Sequence, residues 1–274
     1  MYINTTSLEA LTSSLSNLLN ITEDDLLNEL NQCWIASTKD RGACNLDVLD
    51  REIEKFILRH PPHQIIDEIL MFHLSRRLLP ALDNSSKPLD ALLLEQSDLS
   101  DFLQEYEIKA VKYENRLVLM IHDECLDSKS HLLYRLEEDY CVNGFLFKNF
   151  PDENDYFKSL SKCPEFISDL AREIDMPELK DSFMGKSRYF CFTYRLALKD
   201  VIFDGYSLAE SEKECHLIRL CCEQICFLKR QSFQGNNNKI NPILRISDDS
   251  HIPETALINR DVLLSDYSSN SLKI

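Results

Sequence analysis

The residues best suited to chemistry follow one another on a short apolar run. Residues 69–75 read Ile-Leu-Met-Phe-His-Leu-Ser, and Arg76 and Arg77 come directly after them. The run has the length and composition of a buried strand. It would therefore deliver an imidazole from His73, a hydroxyl from Ser75 and two guanidinium groups to one place. Such a set could form one wall of a cleft that holds a polar ligand.

Several well-known catalytic and nucleotide-binding motifs do not occur in this sequence. None of the five glycines builds Gly-x-Gly-x-x-Gly. The segment 184–187, Met-Gly-Lys-Ser, matches the end of a Walker loop but lacks the earlier glycine that lets backbone N–H groups surround a phosphate. There is also no His-Glu-x-x-His and no Gly-x-Ser-x-Gly. We therefore expect neither a dehydrogenase, a P-loop NTPase, a zinc protease nor an ordinary α/β-hydrolase.

The chain carries a large negative charge. Its 274 residues include 46 acidic and 30 basic side chains, which gives a formal net charge of −16. Proteins bind a long nucleic-acid duplex by neutralising its phosphates, so we expect no such partner. A small anionic ligand or a protein partner with a basic surface fits this charge better.

The sequence also predicts where the chain works. No apolar run approaches the ~20 residues that a membrane span needs. The first six residues, Met-Tyr-Ile-Asn-Thr-Thr, lack the basic start and apolar core of a signal peptide. We therefore expect no membrane partner and a cytoplasmic location, either in the producing cell or in host cytosol after specialised secretion.

Ten cysteines are present, but none forms a Cys-x-x-Cys pair. Cys215, Cys222 and Cys226 are spaced at i, i+7 and i+11, which places them on one face of a helix among apolar neighbours. This spacing is typical of reduced thiols packed in a core. We predict that Cys222 and Cys226 are buried, free of disulfides and free of metal, and we expect no metal site in the chain.

Residues 1–62 are predicted to form a helical N-terminal lobe. Thr6-x-x-Glu9 and Thr22-x-x-Asp25 have the pattern of helix starts, in which a hydroxyl caps free N–H groups and an acid meets the helix dipole. A third helix is expected near 46–58, stopped by the prolines at 61 and 62.

Residues 63–274 are predicted to form a mixed domain. We expect helices over 88–105, a hairpin between 108–113 and 116–121, a turn at Asn143-Gly144 and a strand pair within 188–203. A helix opened by the capping box Ser207-x-x-Glu210 should run to Leu228, followed by a surface loop over 231–250. The predicted class is α+β, with a curved, mostly antiparallel sheet built from 68–74, 107–121, 188–203 and 255–264.

Three short segments resemble the ADP-ribosyltransferase family of the His-Tyr-Glu kind. They are Met-Phe-His-Leu-Ser at 71–75, Asp-Tyr-Cys-Val-Asn-Gly-Phe-Leu-Phe at 139–147 and Ile-Pro-Glu-Thr-Ala-Leu-Ile at 252–258. The resemblance covers about residues 65–265. It implies the split-sheet ADP-ribosyltransferase fold, NAD as the substrate, and a protein or other macromolecule as the acceptor. A bacterial toxin or effector would fit it.

The resemblance also implies roles for individual residues. His73 and Ser75 would bind ribose hydroxyls of NAD, and Tyr140 or Phe147 would stack on nicotinamide. Glu254 would be the catalytic carboxylate. Loss of nicotinamide creates an oxocarbenium-like centre, the same charge that glycosidases stabilise with carboxylates.

Other interpretations of the same residues stay open. His73, Tyr140 and Phe147 also suit an apolar core, and Glu254 suits a loop before a strand. Arg76 and Arg77 could form salt bridges on an acidic protein. One rival function is a non-enzymatic acidic interaction protein, such as an inhibitor or a host-targeting factor, that binds a basic partner. Another is an unrelated hydrolase or nuclease built from dispersed acids and histidines.

Overall fold

The computed structural model describes residues 1–39, 43–114, 116–126, 130–137, 141–148, 161–229 and 241–263. Two compact units divide the chain. The first unit comprises 1–70, 145–150 and 195–243, and the second comprises 71–144, 151–194 and 244–274. The division at 62/63 into a lobe and a domain stays a prediction.

Four helices build the described part of the first unit, three of them from the predicted N-terminal lobe. These three are α1 (Leu8–Leu19), α2 (Glu23–Thr38) and α3 (Leu46–Arg59). They contact one long helix from a later part of the chain, Glu210–Leu228, whose inner residues are buried on almost every side. Burial on so many sides explains its Leu, Ile and Cys content, although His216, Glu223 and Gln224 of the same helix are also buried.

Of the two helix starts predicted in the N-terminal lobe, one agrees with the structure and the other does not. Thr22 caps α2 as predicted, because its hydroxyl accepts from the Asp25 N–H at 3.1 Å. The cap predicted at Thr6 is wrong. The Thr6 N–H and hydroxyl both donate to the side chain of Asn4, and Ser7 accepts the bond from the first turn of α1.

A second capping prediction also fails. The helix expected to open with the Ser207-x-x-Glu210 box begins at Glu210 itself, with Ala209 as the N-cap residue. The Glu212 carboxylate accepts from the Ala209 N–H at 2.8 Å, so the carboxylate half of a capping box is present two residues later than predicted.

The predicted burial of the two cysteines on this helix is confirmed. Cys222 and Cys226 are both buried and both are free thiols. The Cys226 thiol lies 3.5 Å from the carbonyl oxygen of Leu30 in α2. Burial raises the pKa of both Cys221 and Cys222 far above the ordinary thiol range, because a thiolate would lose its hydration. These thiols behave as small apolar core residues.

Nine strands form two separate sheets among the described residues. In chain order they are β1 (Glu68–Leu78), β2 (Ile108–Tyr113), β3 (Arg116–Ile121), β4 (Glu124–Cys125), β5 (Asn143–Phe145), β6 (Ser187–Ala197), β7 (Ile202–Phe203), β8 (Ile243–Arg245) and β9 (Leu257–Leu263). A mostly antiparallel six-stranded sheet has the order β7, β8, β5, β1, β6, β9. The α+β class is thus confirmed.

The predicted hairpin is present, but its assignment to the main sheet is wrong. β2 pairs with β3 in the expected register, with Tyr113 opposite Arg116, and both belong to a three-stranded sheet with β4. Leu117 and Leu119 of β3 are buried in an apolar cluster built largely from helices. The hairpin therefore buries its apolar face against helices.

Residues 188–203 contain two strands, as predicted, but the two strands do not pair with each other. β6 runs for eleven residues, and a 3₁₀ turn at Leu198–Asp200 separates it from the short β7. β7 lies at the far edge of the sheet from β9, beside β8, and is not a neighbour of β6. Residues 189–194 of β6 are all buried, as expected for a strand covered on both faces.

The structure also replaces two predicted irregular segments with strands. Asn143-Gly144, predicted as a turn, is the start of β5. A Cβ atom at Gly144 would lie 2.6 Å from Met71 Cγ and 2.8 Å from the Phe72 carbonyl oxygen of β1. Glycine is therefore required here by the close approach of two strands. The predicted loop at 231–250 contains β8, and its residues 231–240 lie outside the described part of the chain.

The second unit packs further helices around its own apolar cluster. They are α4 (Leu89–Leu94), α5 (Asp98–Gln104), α6 (Ser130–Glu137), α7 (Glu165–Glu173) and α8 (Pro177–Lys186). The long helix Glu210–Leu228 belongs to the first unit and is named α9. Phe102, Phe166 and Phe183 are among the buried residues of this cluster. No helix in the described ranges is both long and apolar enough to cross a membrane.

The contact at Gly144 yields the first testable prediction. Gly144→Ala forces a methyl group into β1, and we expect it to lower the free energy of unfolding by about 1–3 kcal/mol, as other overpacked sites do. Gly185→Ala is the matched control, because nothing lies within 4 Å of the position that its added methyl group would take. In helix α8 that change should leave stability unchanged or raise it by up to about 1 kcal/mol. Urea unfolding measures both, and an equally stable Gly144→Ala variant would show that the close approach is not present.

Candidate functional site

One face of β1 carries the polar residues that the sequence singled out. Side chains alternate along a strand, so His73, Ser75 and Arg77 point to the same face. His73 and Arg77 share one neighbour, Phe192 of the adjacent strand β6. The His73 ring centroid lies 6.3 Å from that of Phe192, and the Arg77 guanidinium carbon lies 5.1 Å from the same centroid.

His73 is held as a neutral imidazole with a defined tautomer. Its Nδ1 lies 2.6 Å from the carbonyl oxygen of Asn143 in β5. A carbonyl only accepts, so Nδ1 carries the proton and Nε2 keeps its lone pair. Burial and the nearby charge of Arg77 lower the pKa of His73 to about 4, against the opposing effect of the Asn143 carbonyl. Among the described residues Nε2 has no hydrogen-bond partner, so it is available as an acceptor.

An aromatic row on β6 lies beside these residues. Phe192 and Tyr194 are two residues apart, and their rings are nearly parallel at 4° with centroids 5.9 Å apart. The Tyr194 centroid is 6.4 Å from that of His73. The sequence identified this segment as an apolar strand but did not identify Tyr194 as part of a site. The period-two placement of a hydroxyl-bearing ring among phenylalanines was the available signal.

The Tyr194 hydroxyl holds the segment that follows β1. It donates to the carbonyl oxygen of Asn84 at 2.7 Å and lies 2.9 Å from the Ser86 hydroxyl. Since the tyrosine proton is used by Asn84, Ser86 donates to Tyr194 in that second bond. Arg77 in turn donates to Ser86 Oγ and to the Ser85 carbonyl oxygen, both at 3.0 Å. A directed chain of hydrogen bonds thus runs from Arg77 through Ser86 and Tyr194 to Asn84.

Glu254 joins this network at its outer end. It lies in the exposed 3₁₀ turn Glu254–Ala256, just before β9, and accepts a 2.7 Å hydrogen bond from the side-chain nitrogen of Asn84. The Asn84 side-chain oxygen accepts from Arg260 at 2.8 Å. No direct contact joins Glu254 to His73 in the described part of the chain, and the path between them passes through Tyr194 and Asn84.

Of the remaining predicted residues, Ser75 and Phe147 do not take part in this network. Ser75 is half-buried beside His73 and lines a cavity described below. Tyr140 lies outside the described residues. Phe147 belongs to the first unit and is only 4% exposed, with its backbone N–H bonded to the side-chain oxygen of Asn241 at 3.1 Å.

The two arginines after Ser75 have different environments. Arg76 donates to the Ser187 hydroxyl at 3.1 Å and to the carbonyl oxygens of Ser161 and Ser187 at 2.8 and 3.3 Å. Neither Arg76 nor Arg77 forms an ion pair with a carboxylate of the described residues, so the salt bridges considered from sequence are not observed there. Burial lowers the pKa of both guanidinium groups.

A cavity of about 470 Å³ opens beside the second half of β1 in the same unit. Ser75 and Arg77 contribute polar groups to its lining, and aliphatic and aromatic residues form most of its walls. This volume falls in the range of small-molecule sites, which are mostly apolar with a few convergent polar groups. His73 and Glu254 do not line it.

Comparisons with known proteins give no information about the site. No family model, no curated protein and no solved structure matches the chain. Within the described ranges no three His, Cys, Asp or Glu side chains are grouped so that they could hold a metal ion.

The neutral state of His73 is the second testable prediction. A folded-state pKa of about 4 lies below the ordinary value of 6.5, so between these pH values the unfolded chain binds a proton that the native chain does not. We therefore expect the free energy of unfolding to fall as the pH drops through this window. This dependence on pH should be weaker in His73→Asn, whose amide can still donate to the Asn143 carbonyl.

NMR titration of the histidine rings measures the same property directly. The His73 resonance, assigned by its loss in His73→Asn, should titrate near pH 4. His216 in α9, whose pKa burial also lowers to about 4, provides a second low-titrating ring in the same spectrum. A His73 midpoint near 6.5 would contradict the proposed tautomer and its burial.

Proposed function

We propose that the second unit binds NAD on the face of β1 that carries His73, and that the chain transfers ADP-ribose to a macromolecular acceptor. The observation that carries the proposal is the state of His73. Its Nδ1–H is committed to a backbone carbonyl, which leaves Nε2 as a hydrogen-bond acceptor on a half-buried neutral ring. A ribose hydroxyl is a donor of the kind that such a nitrogen accepts.

The position of Glu254 supports the catalytic half of the proposal. Breaking the bond between nicotinamide and ribose builds positive charge on the ribose ring, and a nearby carboxylate stabilises that charge in the transition state more than in the ground state. Asn84 donates to one oxygen of Glu254 and so restricts the orientation of the carboxylate. The exposure of the turn at 254–256 leaves the carboxylate accessible to a large acceptor.

The cations around the network suit an anionic nucleotide. Arg260 is exposed, stacks 5.0 Å from the Phe190 centroid and contacts the Asn84 side chain that also holds Glu254. This arginine is the candidate for contact with an NAD phosphate. Guanidinium groups suit phosphate oxygens because their N–H donors are arranged in a planar fork.

The net charge of the chain favours one kind of acceptor. With a net charge of −16, we expect a protein acceptor with a basic surface. We place the reaction in cytosol, either of the producing cell or of a host cell reached by specialised secretion. Tyr140 remains the proposed residue for stacking on nicotinamide.

The third prediction tests the roles of Glu254 and His73 separately. Glu254→Gln keeps the hydrogen bond from Asn84 but removes the charge, so NAD binding should be nearly unchanged and turnover should fall on the order of a hundredfold or more. His73→Ala should weaken NAD binding first, because it removes a ground-state contact. NAD glycohydrolase activity and calorimetric NAD affinity are the two measurements, since hydrolysis needs no knowledge of the acceptor.

Glu124→Gln is the matched control, because this glutamate is exposed on β4 in the small sheet. It should leave both binding and turnover unchanged. If the purified chain neither binds NAD nor cleaves it, the transferase proposal is wrong and the acidic interaction protein takes its place. Equal losses in Glu124→Gln and Glu254→Gln would show that general surface charge, and not Glu254, is responsible.

A further inference from the structure

Arg77 presents an unusual charge for a protein with so many acids. Its guanidinium is half-buried over the Phe192 ring, and one terminal nitrogen is used by Ser85 and Ser86. Its Nε is buried and has no hydrogen-bond partner among the described residues. No carboxylate of that part of the chain lies within ion-pair distance of it, although the charges of Asp83 and Asp98 act on it at longer range. A desolvated charge of this kind is costly unless an anion compensates it.

The cavity beside β1 is where such an anion would meet Arg77. Arg77 lines this space of about 470 Å³ together with Ser75, a second hydrogen-bond donor on the same strand face. The neighbouring guanidinium of Arg76, which also lines the space, is already bonded to Ser161 and Ser187. Arg77 therefore has more unused N–H donors at this cavity than Arg76.

The walls of the cavity determine what else the ligand must carry. Most of the lining is aliphatic or aromatic and comes from α4, α5, α7 and β1. The apolar residues that matter most here are Leu74, Leu89, Leu92, Leu99, Phe166 and Ile167. Removing this apolar surface from water is favourable, so an apolar body on the ligand would add to the affinity.

Charges at the mouth restrict the kind of anion. Asp83 and Asp98 line the cavity and are both exposed, while Lys87 is occupied by an ion pair with Glu95 at 2.8 Å. Two carboxylates at the entrance repel a doubly charged phosphate more strongly than a singly charged group. The guanidinium of Arg77 matches one carboxylate in charge and in its planar geometry.

We propose that this cavity binds a monocarboxylate with an aliphatic body, of the medium-chain fatty acid class, with its carboxylate on Arg77 and its chain along the leucine wall. The cavity adjoins the proposed NAD face, because Ser75 and Arg77 line it and share the face of β1 with His73, but neither His73 nor Glu254 lines it.

The fourth prediction compares three ten-carbon probes on the full chain. Decanoate should bind and raise the melting temperature, as any ligand selective for the native state does. Decan-1-ol, which has the same chain without the charge, should bind at least tenfold more weakly, and so should decyl phosphate. Equal affinity for decanoate and decanol would overturn the role of Arg77, and tighter binding of decyl phosphate would overturn the carboxylate assignment. Absence of decanoate binding would overturn the proposal itself.

Two variants locate the bound probe. Arg77→Gln removes the charge and should weaken decanoate at least tenfold, while Arg188→Gln, an exposed arginine on the neighbouring strand β6, should have no effect. Leu99→Trp should fill the cavity and weaken decanoate while leaving Arg77 in place. If Arg77→Gln does not fold, Leu99→Trp decides the question. Unchanged decanoate affinity in Leu99→Trp would place the probe elsewhere and refute the proposal.

Discussion

The arrangement of the candidate site depends on the two hydrogen bonds of the Tyr194 hydroxyl. Through them β6 holds Asn84 and Ser86, which belong to the segment that follows β1. Asn84 orients Glu254, and Ser86 accepts from Arg77. Ser86 also exchanges two backbone hydrogen bonds with Ile252, at 2.9 and 2.8 Å, which brings the segment before β9 alongside. One phenol thus links the histidine strand to the turn that carries the carboxylate.

The electrostatics of this face differ from those of the chain as a whole. Although the chain has a net charge of −16, the guanidinium groups of Arg77 and Arg260 lie over the rings of Phe192 and Phe190. Cation–π contacts stabilise a cation without neutralising it. The face therefore keeps positive charge for an incoming anion, and the same charge helps hold His73 neutral. This combination favours ligand binding over a purely structural role for these side chains.

Local patterns predicted the elements better than they predicted the site. The apolar run ending at His73 predicted β1, and the two amphipathic runs around residue 115 predicted the β2–β3 hairpin, because both signals are contained within a few residues. The local pattern at Gly144 indicates a turn, whereas its requirement for glycine comes from β1, about seventy residues earlier in the chain. The contacts of Tyr194 with Asn84 and of Arg77 with Phe192 likewise join residues more than a hundred apart. No spacing rule within one segment reports such pairs, so the network emerged only from the folded chain.

The most direct test of the central claim is a crystal structure of the Glu254→Gln variant with NAD, since this change should slow turnover and leave binding intact. Our account predicts a ribose hydroxyl within hydrogen-bonding distance of His73 Nε2. It also predicts the residue at 254 beside the bond to nicotinamide, still bonded to Asn84. NAD bound elsewhere on the chain, or an imidazole that makes no contact with ribose, would contradict it.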